Sequence, residues 1–337
     1  MNAKKAMELF ETGLVRERKA WATRETYRSH VRQFFRFEVD EDSDEFRAFL
    51  HDYDFLETRV SLYLSSLAAG RSAATQAQAL NAIVCFYRLI GRPIGNLPEW
   101  VRPKEKVRVP VWVTIKEARA IIEKLPEPWD EVASMLIGSG LRITECLRLR
   151  MKDIDLDRLT VTIHGGKGDK DRVVMLAQSM VPVLERRMDV SRAVWMEDRA
   201  GKRPGVWLPD GLELKFPRGG EELGWFWLWP APGESVDPET KIRRRHHMCA
   251  EAFSKALKKA VLRAGIPKIV KAHTFRHGFA TAYLMNGGTV PELQELMGHA
   301  NAETTAIYTH CVPQLASRVC SPLDAEAENT VRFRRTA

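Results

Sequence analysis

Between Trp21 and about Ile90 apolar residues return at helical spacing, with Tyr27, Val31, Phe34 and Phe35 on one face and Leu80, Ile83, Val84 and Tyr87 on another. Amphipathic helices packed on one another are expected here, with Gly70-Arg71-Ser72 breaking the run. From Arg92 to Pro110 the periodicity stops, and Pro93, Pro98, Pro103 and Pro110 interleave with Arg102, Lys104, Lys106 and Arg108. Proline lacks the backbone donor and favours extended chain, so this stretch reads as a stiff basic linker.

Beyond Val111 the pattern is mixed. Thr114 to Leu125 and Asp130 to Ile137 predict helices, the second closed by Gly138-Ser139-Gly140. Over 158–164 the period falls to two, with Leu159, Val161 and Ile163 opposite Thr160, Thr162 and His164. A turn over Gly165 to Lys170 then leads into a return strand, Arg172 to Leu176. Thr289 and Glu292 form a capping-box signature, and Gly298 sits at a helix C-terminus, so that His299 is presented just past it.

A chain of 337 residues, 45% of them hydrophobic, can bury two cores more readily than one. No run of 18 uncharged apolar residues occurs, and MNAKKAMELFETG carries acidic residues where a leader would be apolar. A soluble, cytoplasmic protein with no membrane partner is expected. The five cysteines are scattered without CxxC spacing, which points to reduced thiols and not to a disulfide framework or a zinc ribbon. The net charge of +8 favours a polyanionic partner.

His273, Arg276, His299 and Tyr308 fall in one C-terminal stretch, and Arg142 lies far upstream within Gly138 to Glu145. These residue types suffice to open a phosphodiester without a metal. Guanidinium groups hold the phosphate, imidazoles donate hydrogen bonds, and a phenol oxygen attacks. His273 and Arg276 are three apart on a predicted helix and share a face. His277, four beyond His273, also permits a metal pair, but no Glu follows the first histidine and no carboxylate or cysteine stands at a completing distance. The chain has no P-loop, dinucleotide fingerprint or acidic cluster of the two-metal kind.

The segments GSGLRITECLRLRMKDIDL, GGKGDKDRVVML and HTFRHGFATAYLMNGGTVPELQELMGHANAETTAIYTH resemble the tyrosine recombinase (phage integrase) family over residues 111–310. The helical block before them is similar to that family's SAM-like core-binding domain. GWFWLWPAPGESVDPETKIRRRHHM, AGIPK and SPLD resemble the integron integrase branch, which carries an insertion before the second active-site box. The resemblance implies a mostly α fold with a small antiparallel β-sheet. Its expected domains are a helical core-binding domain over 1–99, a basic linker over 100–112, and a catalytic domain over 113–322 with an insertion at about 190–248; a disordered tail would occupy 323–337.

It further implies a recombinase that integrates or excises gene cassettes through a 3′-phosphotyrosyl intermediate, as a homo-tetramer on DNA, with no metal or nucleotide cofactor. Tyr308 would be the nucleophile; a phenol of pKa about 10 is only about one part in a thousand ionised at neutral pH, so a base is needed, and His273 is the candidate. Arg142 and Arg276 would clamp the non-bridging oxygens, His299 would donate to the same phosphate, and Lys167 would protonate the leaving 5′ oxygen, with Lys170 the rival. Glu145 would orient an active-site side chain, and His277 would support. Phage-type and Xer-like recombinases, a type IB-like DNA-relaxing enzyme and a DNA-binding protein without catalysis are the alternatives.

DNA contacts are expected from Arg24, Arg28 and Arg71 in the helical block and from Lys104 and Lys106 in the linker. In the insertion, Trp225, Trp227 and Trp229 alternate with Phe226 and Leu228, so their rings could stack on extrahelical bases of folded single-stranded sites or lie buried under the insertion's own helix. His246 and His247 would join them in site recognition. Phe275 stands where leucine is usual in the family, and Gly278 and Gly288 loosen positions often filled by side chains. Val312, Leu315 and Val319 would pack a short helix on a neighbouring subunit.

Overall fold

The computed structural model describes residues 3–37, 53–95, 99–103, 111–165, 171–209, 211–299 and 302–308. Lys104, Lys106, Lys167, Lys170, Val312, Leu315 and Val319 lie outside the described residues. The chain divides into two compact units, Met1–Arg108 and Val109–Ala337. No helix among the described residues is long and apolar enough to cross a membrane.

The first unit is helical: α1 (Ala3–Arg16), α2 (Trp21–Phe35), α3 (Tyr53–Ala68) and α4 (Ala73–Leu89). Ser72 starts α4 by accepting the Thr75 N–H at 3.2 Å, which places the chain break at Gly70 to Ser72. The core forms around Phe86, whose ring meets Phe10 and Phe35 edge-on at 5.1 and 5.2 Å. Helix α1 was not legible as such, yet its Ala6, Phe10 and Leu14, spaced by four, are fully buried. Val84 departs from the expected inner face. It is 39% exposed, while α4 buries Ala79, Ala82, Ile83 and Phe86.

In the second unit, α5 (Ile115–Ile122) opens with a Thr114–Glu117 capping box, and α6 (Trp129–Ser139) closes on Gly140 in the left-handed region, φ 66°. A short helix α7 (Ile143–Leu147) follows. Strands β1 (Ile154–Asp155), β2 (Thr160–Ile163) and β3 (Arg172–Met175) make an antiparallel sheet in that order, with Ile163 opposite Arg172. Alternation places Val161 and Ile163 in the core.

The remainder comprises α8 (Val181–Ala200), the one-turn α9 (Leu212–Lys215), an antiparallel hairpin β4 (Pro230–Val236) and β5 (Arg243–His247), then α10 (Ala250–Arg263), α11 (Ala272–Met285), α12 (Val290–Met297) and α13 (Ala302–Ala306). Helix α6 buries Val132, Ala133, Met135 and Leu136, and α11 packs against it. Gly278 on α11 does not loosen this contact. A Cβ there would stand 2.5 Å from the Val113 carbonyl oxygen, so the missing side chain is what lets the helix seat.

Candidate active site

Four local devices bring the site together. The left-handed Gly140 turns the chain out of α6 so that Arg142 becomes the N-cap residue of α7. Glu145, one turn on, closes a loop back to Arg142: its carboxylate accepts the Arg142 backbone N–H at 2.9 Å and the guanidinium at 2.7 Å. Helix α11 carries His273, Arg276 and His277. Helix α12 starts with the Thr289–Glu292 capping box and stops at left-handed Gly298, φ 59°, leaving His299 beyond its end as the sequence implied.

The C-terminal carbonyls of α12 organise the cations. Arg172 Nε donates to Leu296 O at 3.0 Å, Arg276 Nη2 donates to Met297 O, and Arg142 Nη2 reaches Gly298 O at 3.4 Å. These acceptors are left open by the helix and carry its partial negative charge, so three guanidinium groups gather there before any phosphate arrives. Arg276 also donates to Gly140 O at 2.5 Å, tying the end of α6 to the end of α12. It is only 2% exposed, whereas the Arg142 side chain keeps 20% of its surface open.

Glu145 is the counter-ion of this cluster. Besides Arg142 it binds Arg172 in a fork, at 2.7 and 3.1 Å. Burial alone would raise its pKa, but the hydrogen bonds from Arg172 and Arg142 hold it at about 2, so it stays ionised. This is not the surface ion pair that an i,i+3 spacing equally allows. The sequence reading missed Arg172, which sits first on β3 and looks in the sequence like any strand-end residue.

The imidazoles are set among these charges. His277 Nδ1 lies 2.7 Å from Tyr308 Oη, and the Tyr308 side chain is buried. Burial first, then His273 and Arg276, hold His277 at about 4. Partial burial and the charges of Arg276 and Arg142 lower His273 as well. His299 Nε2 stands 3.2 Å from Arg276 Nη2, and because a guanidinium only donates, Nε2 accepts and Nδ1–H faces Thr305 Oγ1 at 2.9 Å. The His299 and Tyr308 rings stack nearly parallel, 9° between planes and 6.4 Å between centroids. The structure thus collects Arg142, Glu145, His273, Arg276, His277, His299 and Tyr308.

The insertion residues are placed differently from the base-stacking expectation. Trp227 and Trp229 are 2% and 0% exposed and belong to the core. Trp229 Nε1 donates to Glu131 Oε2 at 3.0 Å, a carboxylate also held by Arg187 at 2.7 Å, and Trp227 Nε1 donates to Arg245 O at 3.2 Å. Strict alternation fails because Leu223–Trp225 is a 3-10 turn and Phe226 and Leu228 are buried too. Arg150 fills the space between rings, 4.1 Å from the Trp227 centroid and 5.2 Å from that of Trp225. Trp225 keeps partial exposure with Lys152 Nζ against its face at 3.1 Å. His247 sits edge-on to Trp227 with its Nδ1 2.7 Å from Met248 O, and burial, only partly offset by that bond, holds it at about 4; His246 is half-buried near Asp237.

Of the basic run before these histidines, Arg244 pairs with Glu213, and Arg245 forks onto Asp198 at 2.6 Å twice. Asp198 is 2% exposed and also accepts from Arg203 at 2.5 Å. Removing it strands a buried guanidinium, so Asp198→Ala is expected to destabilise the protein by about 3–5 kcal/mol. Urea unfolding measures this, and a loss below about 1 kcal/mol, the size of a surface pair, contradicts it. In the helical unit Arg28 is paired with Glu11 at 2.9 Å and with Glu25, Arg24 is half-buried, and Arg71 is exposed.

The phage integrase family pattern matches residues 112–314, and that of the phage integrase N-terminal SAM-like domain matches 7–95. An integrase/recombinase of Escherichia coli is 40% identical over 306 residues, spanning 90% of this chain and 88% of its own. The tyrosine recombinase XerA of Thermococcus kodakarensis is 28% identical over 311 residues, 90% of this chain and 89% of that one. Two solved structures share the fold. XerH bound to palindromic difH substrate, a post-cleavage complex, aligns over 92% of this chain and 82% of that chain with a TM-score of 0.54 at 19% identity. The Tn1549 transposon integrase in complex with circular intermediate DNA aligns over 98% and 99%, also at 0.54, with 15% identity. With both patterns matched across most of its length and a relative 40% identical over 90% of it, the chain belongs to the phage integrase family of tyrosine recombinases.

Proposed function

We propose that this protein is an integron-type site-specific recombinase that breaks and rejoins DNA through Tyr308 to move gene cassettes. The observation that carries the chemistry is the burial of the Tyr308 hydroxyl beside His277 and His299 while Arg142 and Arg276 converge on the same helix end. A phosphodiester entering there would displace weak carbonyl contacts of Arg142 and draw two forks onto its non-bridging oxygens. His273 and His299 would add donors, Tyr308 would attack phosphorus, and Lys167 would protonate the departing 5′ oxygen. The phosphotyrosyl bond conserves the energy of the bond broken, so a second 5′ hydroxyl reverses the step without a nucleotide cofactor.

The integron reading is supported by the insertion, which is anchored to the core through Arg150, Asp198 and Glu131 and whose half-exposed Trp225 and His246 would take part in site recognition. DNA is the partner, in duplex and folded single-stranded form, with a homo-tetramer holding two sites. Arg24, Arg28 and Arg71 with Lys104 and Lys106 would grip the backbone.

The test begins with a duplex site selected by the protein from a random-sequence library. Strand exchange is then measured against a second copy of that duplex and against single strands folded into bulged hairpins. Exchange with the hairpins supports the integron reading. Exchange confined to duplex pairs assigns the protein to the Xer-like or phage-type recombinases, and relaxation of supercoiled DNA by a monomer would make it a type IB-like enzyme.

A further inference from the structure

We propose that His277, and not His273, accepts the Tyr308 proton during cleavage, which makes it a catalytic residue. The inference rests on Tyr308 being the nucleophile. Its geometric basis is the 2.7 Å separation of His277 Nδ1 from Tyr308 Oη, with ring centroids 5.5 Å apart. The phenol is the acid of the pair, so its O–H donates and the Nδ1 lone pair accepts, leaving the imidazole proton on Nε2. His273 stands one turn earlier on the same helix, its ring 6.1 Å from that of His277 and its edge exposed, a position suited to donating to a phosphate oxygen.

The charged groups around His277 make the transfer depend on substrate. His273 and Arg276 face it from its own helix, Tyr308 meets it from the segment after α13, and Arg142 and Glu145 act on the same cluster from α7. Burial first, then His273 and Arg276, keep His277 neutral at working pH, so its lone pair is present. They equally oppose the imidazolium in the free protein, so the nucleophile rests as a phenol. A bound phosphodiester brings one negative charge to Arg142 and Arg276, and the pentavalent phosphorus adds a second. Both favour a cation at His277 at the moment when the proton must leave.

The step balances. The Tyr308 Oη–P bond forms as the O–H proton passes to Nδ1; the P–O5′ bond breaks, and the leaving oxygen takes a proton from the general acid. On rejoining, a 5′ hydroxyl gives its proton back to the deprotonated general acid as its oxygen attacks phosphorus; the Oη–P bond breaks, and His277 returns its proton to the phenolate.

The experiment uses the full chain and a nicked suicide duplex of the library-selected site under single-turnover conditions. His277→Asn keeps a polar atom near Nδ1 but cannot take a proton. Adduct formation should fall by about 10²–10³-fold with unchanged DNA affinity. The rate should climb into alkaline pH where the parent protein levels off, and a fluorinated tyrosine at 308, which ionises more readily, should restore part of it. His273→Asn should lose rate without either signature. His277→Gln serves as the second variant if the first fails to fold. Parental rates in both variants, or a loss with neither the alkaline climb nor the fluorotyrosine recovery, would overturn the proposal. The underlying reading fails separately, if the parent forms no adduct or Tyr308→Phe still forms one.

Discussion

Tyr308→Phe is expected to fold, bind DNA and form no covalent adduct on a nicked duplex. The substitution deletes one oxygen from a side chain that is 2% exposed and packed against Phe279, Leu284, Leu293 and Met297, so its apolar contacts survive. What is lost within the fold is the hydrogen bond to His277, worth about 0.5–1.5 kcal/mol net. What is lost in the chemistry is the attacking atom itself, and no weaker group replaces it. Tyr283, on the same helix as His277, is turned the other way and donates to Glu292 at 3.2 Å. The adduct is read on a denaturing gel alongside a thermal melt and a DNA-binding curve. An adduct that persists in the variant moves the nucleophile elsewhere in the chain.

Arg276→Lys is expected to reduce cleavage by about 10³-fold or more and to weaken the fold as well. Arg276 reaches Gly140 O from Nη1 and both Met297 O and His299 Nε2 from Nη2 of one planar group. A lysine concentrates its donors on a single atom and cannot span them. At least one buried carbonyl would be left without its partner, at a cost of about 1–3 kcal/mol. Burial and the nearby Arg142 charge lower Arg276 to about 10, which still leaves it cationic at neutral pH, so the effect is geometric and not a change of charge. Urea unfolding gives the stability change and single-turnover trapping gives the rate. A rate loss smaller than about tenfold would show that a point charge suffices there and that the fork does not matter.

Much of the site's composition could be read in one dimension, and its wiring could not. The capping boxes at Thr114 and Thr289, the left-handed glycines at 140 and 298, and the hairpin pairing Ile163 with Arg172 all follow from neighbours a few positions apart. Arg172 was passed over because its partners, Glu145 and Leu296, lie 27 and 124 positions away. The tryptophans of the insertion show the same limit from the other side. Their spacing put three rings on one side and left open whether it faced bases or core; the turn at Leu223–Trp225 and the buried acceptor on Glu131, 98 positions distant, drew Trp229 inside.

Local order therefore belongs to the amino-acid string: which segments coil, which extend, where each stops, and which side chains capable of phosphoryl transfer the chain carries. Period, cap and turn depend on covalent neighbours, and these are fully present in the linear chain. The folded chain alone decided that Arg142 meets Gly298 across 156 positions, that three guanidinium groups share one helix end, and that Tyr308 rests on His277. Those contacts exist only where packing of α11 on α6 brings distant segments within hydrogen-bond reach, and hydrogen bonds act over about 3 Å regardless of distance along the sequence.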